Sequence, residues 1–339
     1  MLFLFGRSVP ASLSRYFSDR AAQDGHRVIF ASLGGFPSSE AYSELRDIPL
    51  ADIKNQPVVV FQSIAAADDF SANDYFTQLL WVGDTLKRYG AGPLWAITPF
   101  GPYTRQDQER TGKMDSVGCN AAAKHLALDF TGISTVEIHS VKAEALLKDH
   151  FGENCVFSIN PTDIFVQDLQ SFSLQNPVVV SPDKGANARA DAMAHELNAD
   201  RFYVDKVRRE IVNTSIAGSR GNVAGCDAIL VDDMADTLGT VENSARLVRE
   251  QGASRVFVYA AHPVLSKPAW DRIARLIQDG IVDHVRFGNT IDRDEEYQAF
   301  AQEYGSQIAD KVRFLSVEEA LYQHIQDNIA AHPAMQADI

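Results

Sequence analysis

Apolar residues in this chain fall in short runs, and stretches with apolar positions three or four apart lie between many of these runs. The runs at 28–31, 58–62, 94–98, 135–138, 178–181, 201–204, 228–231, 255–260 and 282–287 predict strands. Several are apolar throughout, the pattern of parallel strands covered on both faces. Helical spacing extends over 71–89, 116–128, 186–197, 240–251 and 268–278, and Gly90-Ala91 and Gly252-Ala253 close two of these stretches as helix C-caps do. Strands alternating with helices predict an α/β architecture with parallel sheets.

Gly152-Glu153-Asn154 and Asn160-Pro161 punctuate the chain near its middle. The expected division is a domain over 1–155, a second over 156–325 and a polar tail over 326–339, fraying at its end. The halves read as two copies of one architecture, although residue identities show no clear repeat. A length of 339 residues suits two domains of roughly 100–200 residues each.

With 45% apolar and 22% charged residues, the chain reads as globular. Its 31 Lys and Arg against 45 Asp and Glu leave a formal charge of −14. This excludes a protein that coats nucleic acid or an anionic membrane, since both need surplus cations. A small anionic substrate needs only a local cluster, and over 183–209 six bases stand against five acids. Cys119, Cys155 and Cys226 have neither zinc-site nor disulfide-framework spacing. The opening Met1-Leu2-Phe3-Leu4-Phe5 is too short for a signal sequence, and no run reaches the roughly 18–20 residues of a spanning helix. The expectation is a soluble, cytoplasmic protein.

The most informative segment runs Ile229-Leu230-Val231-Asp232-Asp233-Met234-Ala235-Asp236-Thr237-Leu238-Gly239-Thr240. It is an apolar strand, an acidic pair, and a hydroxyl-rich turn that opens a helix. Backbone N–H groups at a helix N-terminus favour an anion, and Gly239 allows close approach. Acidic groups at the end of such a strand suit sugar hydroxyls or hydrated Mg²⁺. The plainer alternative is that Asp236 or Thr237 merely caps the helix.

This segment resembles the phosphoribosyl-pyrophosphate (PRPP) loop of type I phosphoribosyltransferases and of ribose-phosphate pyrophosphokinases. The resemblance implies that Asp232 and Asp233 hold ribose hydroxyls, and that Asp236, Thr237, Leu238, Gly239 and Thr240 hold the 5-phosphate. Other segments separate the two groups. Thr104-Arg105-Gln106-Asp107 looks like part of the pyrophosphokinase ATP site. Arg105 offers forked phosphate contacts and Gln106 a base or ribose contact; the alternative is a solvated loop. Phe36-Pro37-Ser38-Ser39-Glu40 resembles the adenine-receiving segment, with Phe36 to stack on a purine and Ser38 and Glu40 to bind its edge or the ribose. A simple turn is the alternative there. Val136-Glu137-Ile138-His139-Ser140 looks like a segment whose histidine helps hold Mg²⁺. From spacing alone His139 reads equally as a helix-cap residue, and imidazole is an unusual partner for a hard cation.

Ser181-Pro182-Asp183-Lys184-Gly185-Ala186 resembles a loop whose aspartate meets metal. Lys184 and Ala186 depart from its usual Ala and Gly, and Ala186 narrows the room for a diphosphate. Lys206-Val207-Arg208 resembles the catalytic flap, with Lys206 and Arg208 offsetting charge on the transferring group. The alternative is a solvated charged hairpin. His262, in the strand-end loop after 256–261, reads as a supporting residue.

The resemblance covers roughly residues 28–290, in the family's order and spacing. It implies two tandem phosphoribosyltransferase-like (type I) domains, each a mainly parallel sheet flanked by helices. It also implies transfer of the diphosphoryl group of MgATP to the 1-hydroxyl of ribose 5-phosphate, Mg²⁺ as the metal, and homo-oligomers built from dimers, often hexamers. Two other readings stand beside it. One is a PRPP-consuming phosphoribosyltransferase. The other is a non-catalytic regulatory paralogue, motivated by Ser39, Lys184, Ala186 and Leu238.

Overall fold

The computed structural model describes all residues except 39, 46–47, 68–69, 206–209, 214–222 and 337–339. Packing divides the chain into two units. The first comprises Met1–Ile159, Thr290–Asp292 and Val317–Ile339, and the second Asn160–Asn289 and Arg293–Ser316.

In the first unit the strands are β1 (Leu2–Phe5), β2 (Arg27–Gly35), β3 (Ala41–Leu45), β4 (Val58–Phe61), β5 (Leu94–Thr98), β6 (Gly132–Val136) and β7 (Val156–Ile159). They form one sheet in the order β3-β2-β1-β4-β5-β6-β7, parallel except for β3. The second unit holds β8 (Val178–Ser181), β9 (Asp200–Asp205), β10 (Glu210–Asn213), β11 (Asp227–Met234), β12 (Arg255–His262), β13 (His284–Gly288) and β14 (Val312–Leu315). Their order is β10-β9-β8-β11-β12-β13-β14, and only β10 runs antiparallel. The two units thus repeat one α/β topology that residue identities conceal.

Alternation of side chains across each strand explains the cores. On one face of the first sheet, Phe3, Phe5 and Phe61 meet Phe17 of the helix Ala11–Gln23, with ring centroids 4.7 Å apart for Phe17 and Phe61. On the other face, Leu2, Leu4, Val58 and Val60 pack with Tyr75, Leu79, Val82 and Leu86 of the helix Ala72–Arg88. That helix begins where the sequence predicts, with a reciprocal Ser71–Asp74 capping box. In the second unit, Val178, Val180, Ala228 and Leu230 pack against Val241, Ala245 and Val248 of the helix Gly239–Glu250.

In each sheet the strand order reverses at the centre, between β1 and β4 and between β8 and β11. Loops leaving the C-terminal ends of those strands diverge there and open the crevice in which α/β folds bind ligands.

Two expectations change. The opening apolar residues are β1, a central strand; four residues carry too little periodicity to separate a strand from other apolar runs. The segment 317–339 also groups with the first unit, where 317–325 had been expected in the second domain and 326–339 as a polar tail. Leu321, Ile325 and Ile329 recur every fourth position and are fully buried, and the Tyr322 ring lies 5.4 Å from that of Phe17. A π-helical turn over Ile325–Ile329 keeps this stripe facing inward.

A buried polar relay fastens the same segment. Trp95 Nε1 donates to Ser134 Oγ at 2.9 Å, and Ser134 Oγ lies 2.8 Å from His324 Nε2. Burial pushes His324 down to about 4. The unfolded chain therefore takes up a proton at His324 as pH falls below about 6.5, while the folded chain takes it up only near 4. Stability fades across that window on acidification. His324→Gln is expected to flatten the fall of melting temperature between pH 7 and pH 5, as read by calorimetry. An unchanged slope would contradict this role.

Candidate active site

At the switch point of the second sheet, β11 ends in Asp232 and Asp233, and its neighbour β8 leads into Asp183. The acidic pair is poorly exposed, with side chains 18% and 5% accessible. Asp233 donates its N–H to Asp232 Oδ1 at 3.0 Å. Arg189, from the helix Asn187–Leu197, lies at ion-pair distance from both, 3.5 Å from Asp232 Oδ1 and 3.6 Å from Asp233 Oδ1. Burial raises the Asp232 carboxyl to about 7, the Asp233 charge pushes the same way, and Arg189 opposes them. This is a carboxylate pair held at a cost in a ligand crevice, the environment expected of a functional group.

The turn after β11 brings a helix N-terminus beside the acidic pair. The helix Gly239–Glu250 has Leu238 at its N-cap and no side-chain cap hydrogen bond. The first-turn N–H groups have no intrahelical acceptor and stand at the positive end of the helix dipole. Thr237 is exposed, and Gly239 and Thr240 are half-buried. A Cβ on Gly239 would meet only Arg272 Nη1 within 4 Å, at 3.8 Å, so the backbone is open to approach.

Leu238 explains how the turn is held. It adopts φ 63° and ψ 12°, a left-handed conformation costing roughly 1–2 kcal/mol for an L-residue. Its side chain is 5% exposed and packs in the core of the unit, a burial worth roughly 1.5–3 kcal/mol. Burial offsets the strain. Arg272, which no sequence spacing singled out, donates to the Thr237 carbonyl and pairs with Glu242 at 2.6 Å. It braces the turn from a helix over thirty residues further on.

In the Asp183 loop, Oδ1 of Asp183 accepts from Gly185 N at 3.0 Å and Ala186 N at 3.3 Å. Lys184 is exposed. Ala186 is fully buried, so its methyl group is absent from the loop surface where the sequence suggested it would crowd a diphosphate.

In the first unit, the loops after β5 and β6 come together. Ser140 Oγ donates to Asp107 Oδ2 and accepts from Ala143 N at 3.0 Å. Lys142 Nζ donates to Gln108. Arg105 and Gln106 are exposed beside this junction. Ser140, not His139, caps the helix Val141–Phe151, which removes the cap reading of His139. Phe36, Ser38 and Glu40 lie elsewhere, at the tip of the β2–β3 hairpin. Phe36 N bonds Glu40 O at 2.8 Å, Ser38 Oγ bonds Glu40 Oε2 at 2.8 Å, and the Phe36 ring is 56% exposed. Three strand spacings, about 14 Å, separate β2 from β5. Lys206 and Arg208 lie outside the described residues.

Backbone strain marks the corresponding rim of each sheet. Among the described residues, the non-glycine positive-φ positions other than asparagine are Tyr103, Glu137, Leu238 and Leu265. Each follows the C-terminal end of a parallel strand, β5, β6, β11 or β12. Such strain persists where surrounding structure enforces it, commonly at ligand sites.

Fold and site together define an α/β protein with a phosphoribosyltransferase-type domain. The family described as "Phosphoribosyl transferase domain" matches residues 157–290, and "N-terminal domain of ribose phosphate pyrophosphokinase" matches 18–128. The chain is 32% identical over 253 residues to the ribose-phosphate pyrophosphokinase of Burkholderia pseudomallei, covering 74% of this chain and 76% of that protein. It is 29% identical to the Buchnera aphidicola enzyme of the same name, over 96% of this chain and 99% of that one. In fold it matches the crystal structure of phosphoribosylpyrophosphate synthetase from Mycobacterium smegmatis, with TM-score 0.78 and 23% identity over 98% of this chain and 99% of that one. The chain belongs to the ribose-phosphate pyrophosphokinase family.

The raised Asp232 carboxyl has a measurable consequence. Its ionisation is disfavoured in the folded state, so stability falls as pH rises from about 4 towards 7. Asp232→Asn is expected to raise the melting temperature at pH 8, measured without divalent cation or sugar phosphate. A lowered melting temperature under those conditions would contradict the assignment.

Proposed function

We propose that this chain is a ribose-phosphate diphosphokinase that makes PRPP and AMP from ATP and ribose 5-phosphate. The observation that carries the reading is a helix N-terminus beside a poorly exposed acidic pair, in a chain with a second unit of the same topology. A phosphoribosyltransferase needs only one such domain. Family membership favours catalysis over a regulatory paralogue, and the departures at Ala186 and Leu238 put buried side chains where bulk does not obstruct the loops.

In this reading Asp232 and Asp233 accept hydrogen bonds from ribose hydroxyls. Asp236, Thr237, Leu238, Gly239 and Thr240 hold the 5-phosphate through backbone N–H and hydroxyl donors. Arg105, Gln106 and Asp107 bind ATP. The 1-hydroxyl oxygen attacks the β-phosphorus, the bond to the α-phosphate oxygen breaks, AMP leaves, and the hydroxyl proton passes to solvent. No side chain is assigned as general base, so rate comes from positioning and charge compensation. Lys206 and Arg208 supply that compensation.

Mg²⁺ suits the oxygen donors here. Among the described residues no cluster of three His, Cys, Asp or Glu forms a protein cage. Mg²⁺ habitually takes one or two carboxylates and completes its shell with phosphate oxygens and water. In the second unit Asp183 is the fitting ligand, and in the first unit His139 is a softer candidate; Mg²⁺ bound at either would neutralise phosphate charge.

The exposed Phe36 hairpin fits a dimer-based homo-oligomer in which Phe36, Ser38 and Glu40 complete the ATP site of a neighbouring copy. Among the described residues no helix is long and apolar enough to cross a membrane. The reading places the enzyme in the cytoplasm.

The direct test is AMP formation from MgATP. It should depend on ribose 5-phosphate and yield PRPP stoichiometrically; a transferase or regulatory paralogue would form none. Lys206→Ala should lower kcat on the order of 10²–10³-fold with little change in substrate affinity. Unchanged turnover would remove Lys206 from the mechanism.

A further inference from the structure

The two units provide an internal comparison that bears on Arg189. Strand register aligns them: Leu2 pairs with Val58 as Val178 pairs with Ala228. In both units the α-helix that follows the first strand starts nine residues after that strand begins, at Ala11 and at Asn187. Gln62 and Ser63 of the first unit thus occupy the positions of Asp232 and Asp233, Arg7 that of Asp183, and Leu13 that of Arg189. Leu13 is fully buried in its core. Where the acidic pair is absent, the guanidinium is absent too.

In the second unit Arg189 is 11% exposed and spans three groups. Its Nη1 lies 3.5 Å from Asp232 Oδ1 and donates to the Gly185 carbonyl at 3.2 Å, and its Nη2 lies 3.6 Å from Asp233 Oδ1. One planar fork therefore joins the acidic pair to the backbone of the Asp183 loop across the switch point. Two adjacent carboxylates repel, and each has a choice of side-chain rotamers. A cation fixed between them sets which oxygens turn to the protein and which remain for a sugar.

We propose that Arg189 is a positioning residue for the sugar phosphate: it orients Asp232 and Asp233 to accept ribose hydroxyls. It deepens the ribose 5-phosphate reading and rests on it. The ammonium of lysine carries the charge but cannot span three acceptors as a planar fork, so Lys and Leu substitutions separate charge from geometry.

The experiment pairs steady-state kinetics with calorimetric titration of ribose 5-phosphate into wild type, Arg189→Lys and Arg189→Leu, with folding checked by thermal melting. For both variants, KM and Kd for ribose 5-phosphate should rise about tenfold or more, further in the Leu variant, while KM for ATP stays within about twofold. If Arg189→Leu does not fold, Arg189→Lys alone decides. A folded variant with ribose 5-phosphate KM and Kd within about twofold of wild type overturns the proposal, as does an equal rise in the KM of both substrates. Should wild type bind ribose 5-phosphate but form no AMP, the diphosphokinase reading fails, and the titration still judges Arg189.

Discussion

The constraint around which this site is organised is the burial of two adjacent carboxylates, Asp232 and Asp233, at the end of a parallel strand. Carboxylates so placed lose solvation and repel one another, and the raised Asp232 carboxyl reflects both effects. The surrounding structure answers that cost locally. Arg189 approaches from the neighbouring helix, and the helix after β11 presents its N-terminus at the same rim. Destabilised polar groups held in place by a rigid sheet are what a preorganised binding site requires.

The turn beside the pair follows the same logic in its backbone. A glycine at position 238 would adopt the left-handed conformation without strain. The chain uses leucine and anchors it in the core instead, with Arg272 bracing the preceding carbonyl. The departure from the family's pattern therefore leaves the N–H groups in place. The first unit shows the topology without the chemistry at this position. Gln62 and Ser63 stand for the acidic pair, and Ser71 with Asp74 closes the N-terminus of the following helix. Its loops after β5 and β6 instead meet through Asp107 and Ser140.

Much of this was legible in the sequence because fully apolar runs such as 58–61 and 178–180 read as buried parallel strands in an alternating α/β pattern. The acidic pair and its turn were legible because their residue types and order suit one kind of ligand. Strands at the sheet margins, such as β3 and β14, were missed because their residues are only partly buried and lack a continuous apolar run. The placing of 317–339 was missed because residues four apart in a polar-looking segment bury a stripe that composition does not reveal. Arg189 and Arg272 were overlooked as participants because their roles depend on contacts 43 and 35 residues away in sequence, to Asp232 and Thr237.

The claim at the centre is that the buried pair exists to read sugar hydroxyls. Calorimetric titration of ribose 5-phosphate against 2-deoxyribose 5-phosphate tests it most directly, since the two ligands share the phosphate and differ by one hydroxyl. A hydrogen bond to a charged group is worth about 1.5–3 kcal/mol, so the deoxy sugar should bind roughly 10–100-fold more weakly. Equal affinity for the two sugars would contradict the account.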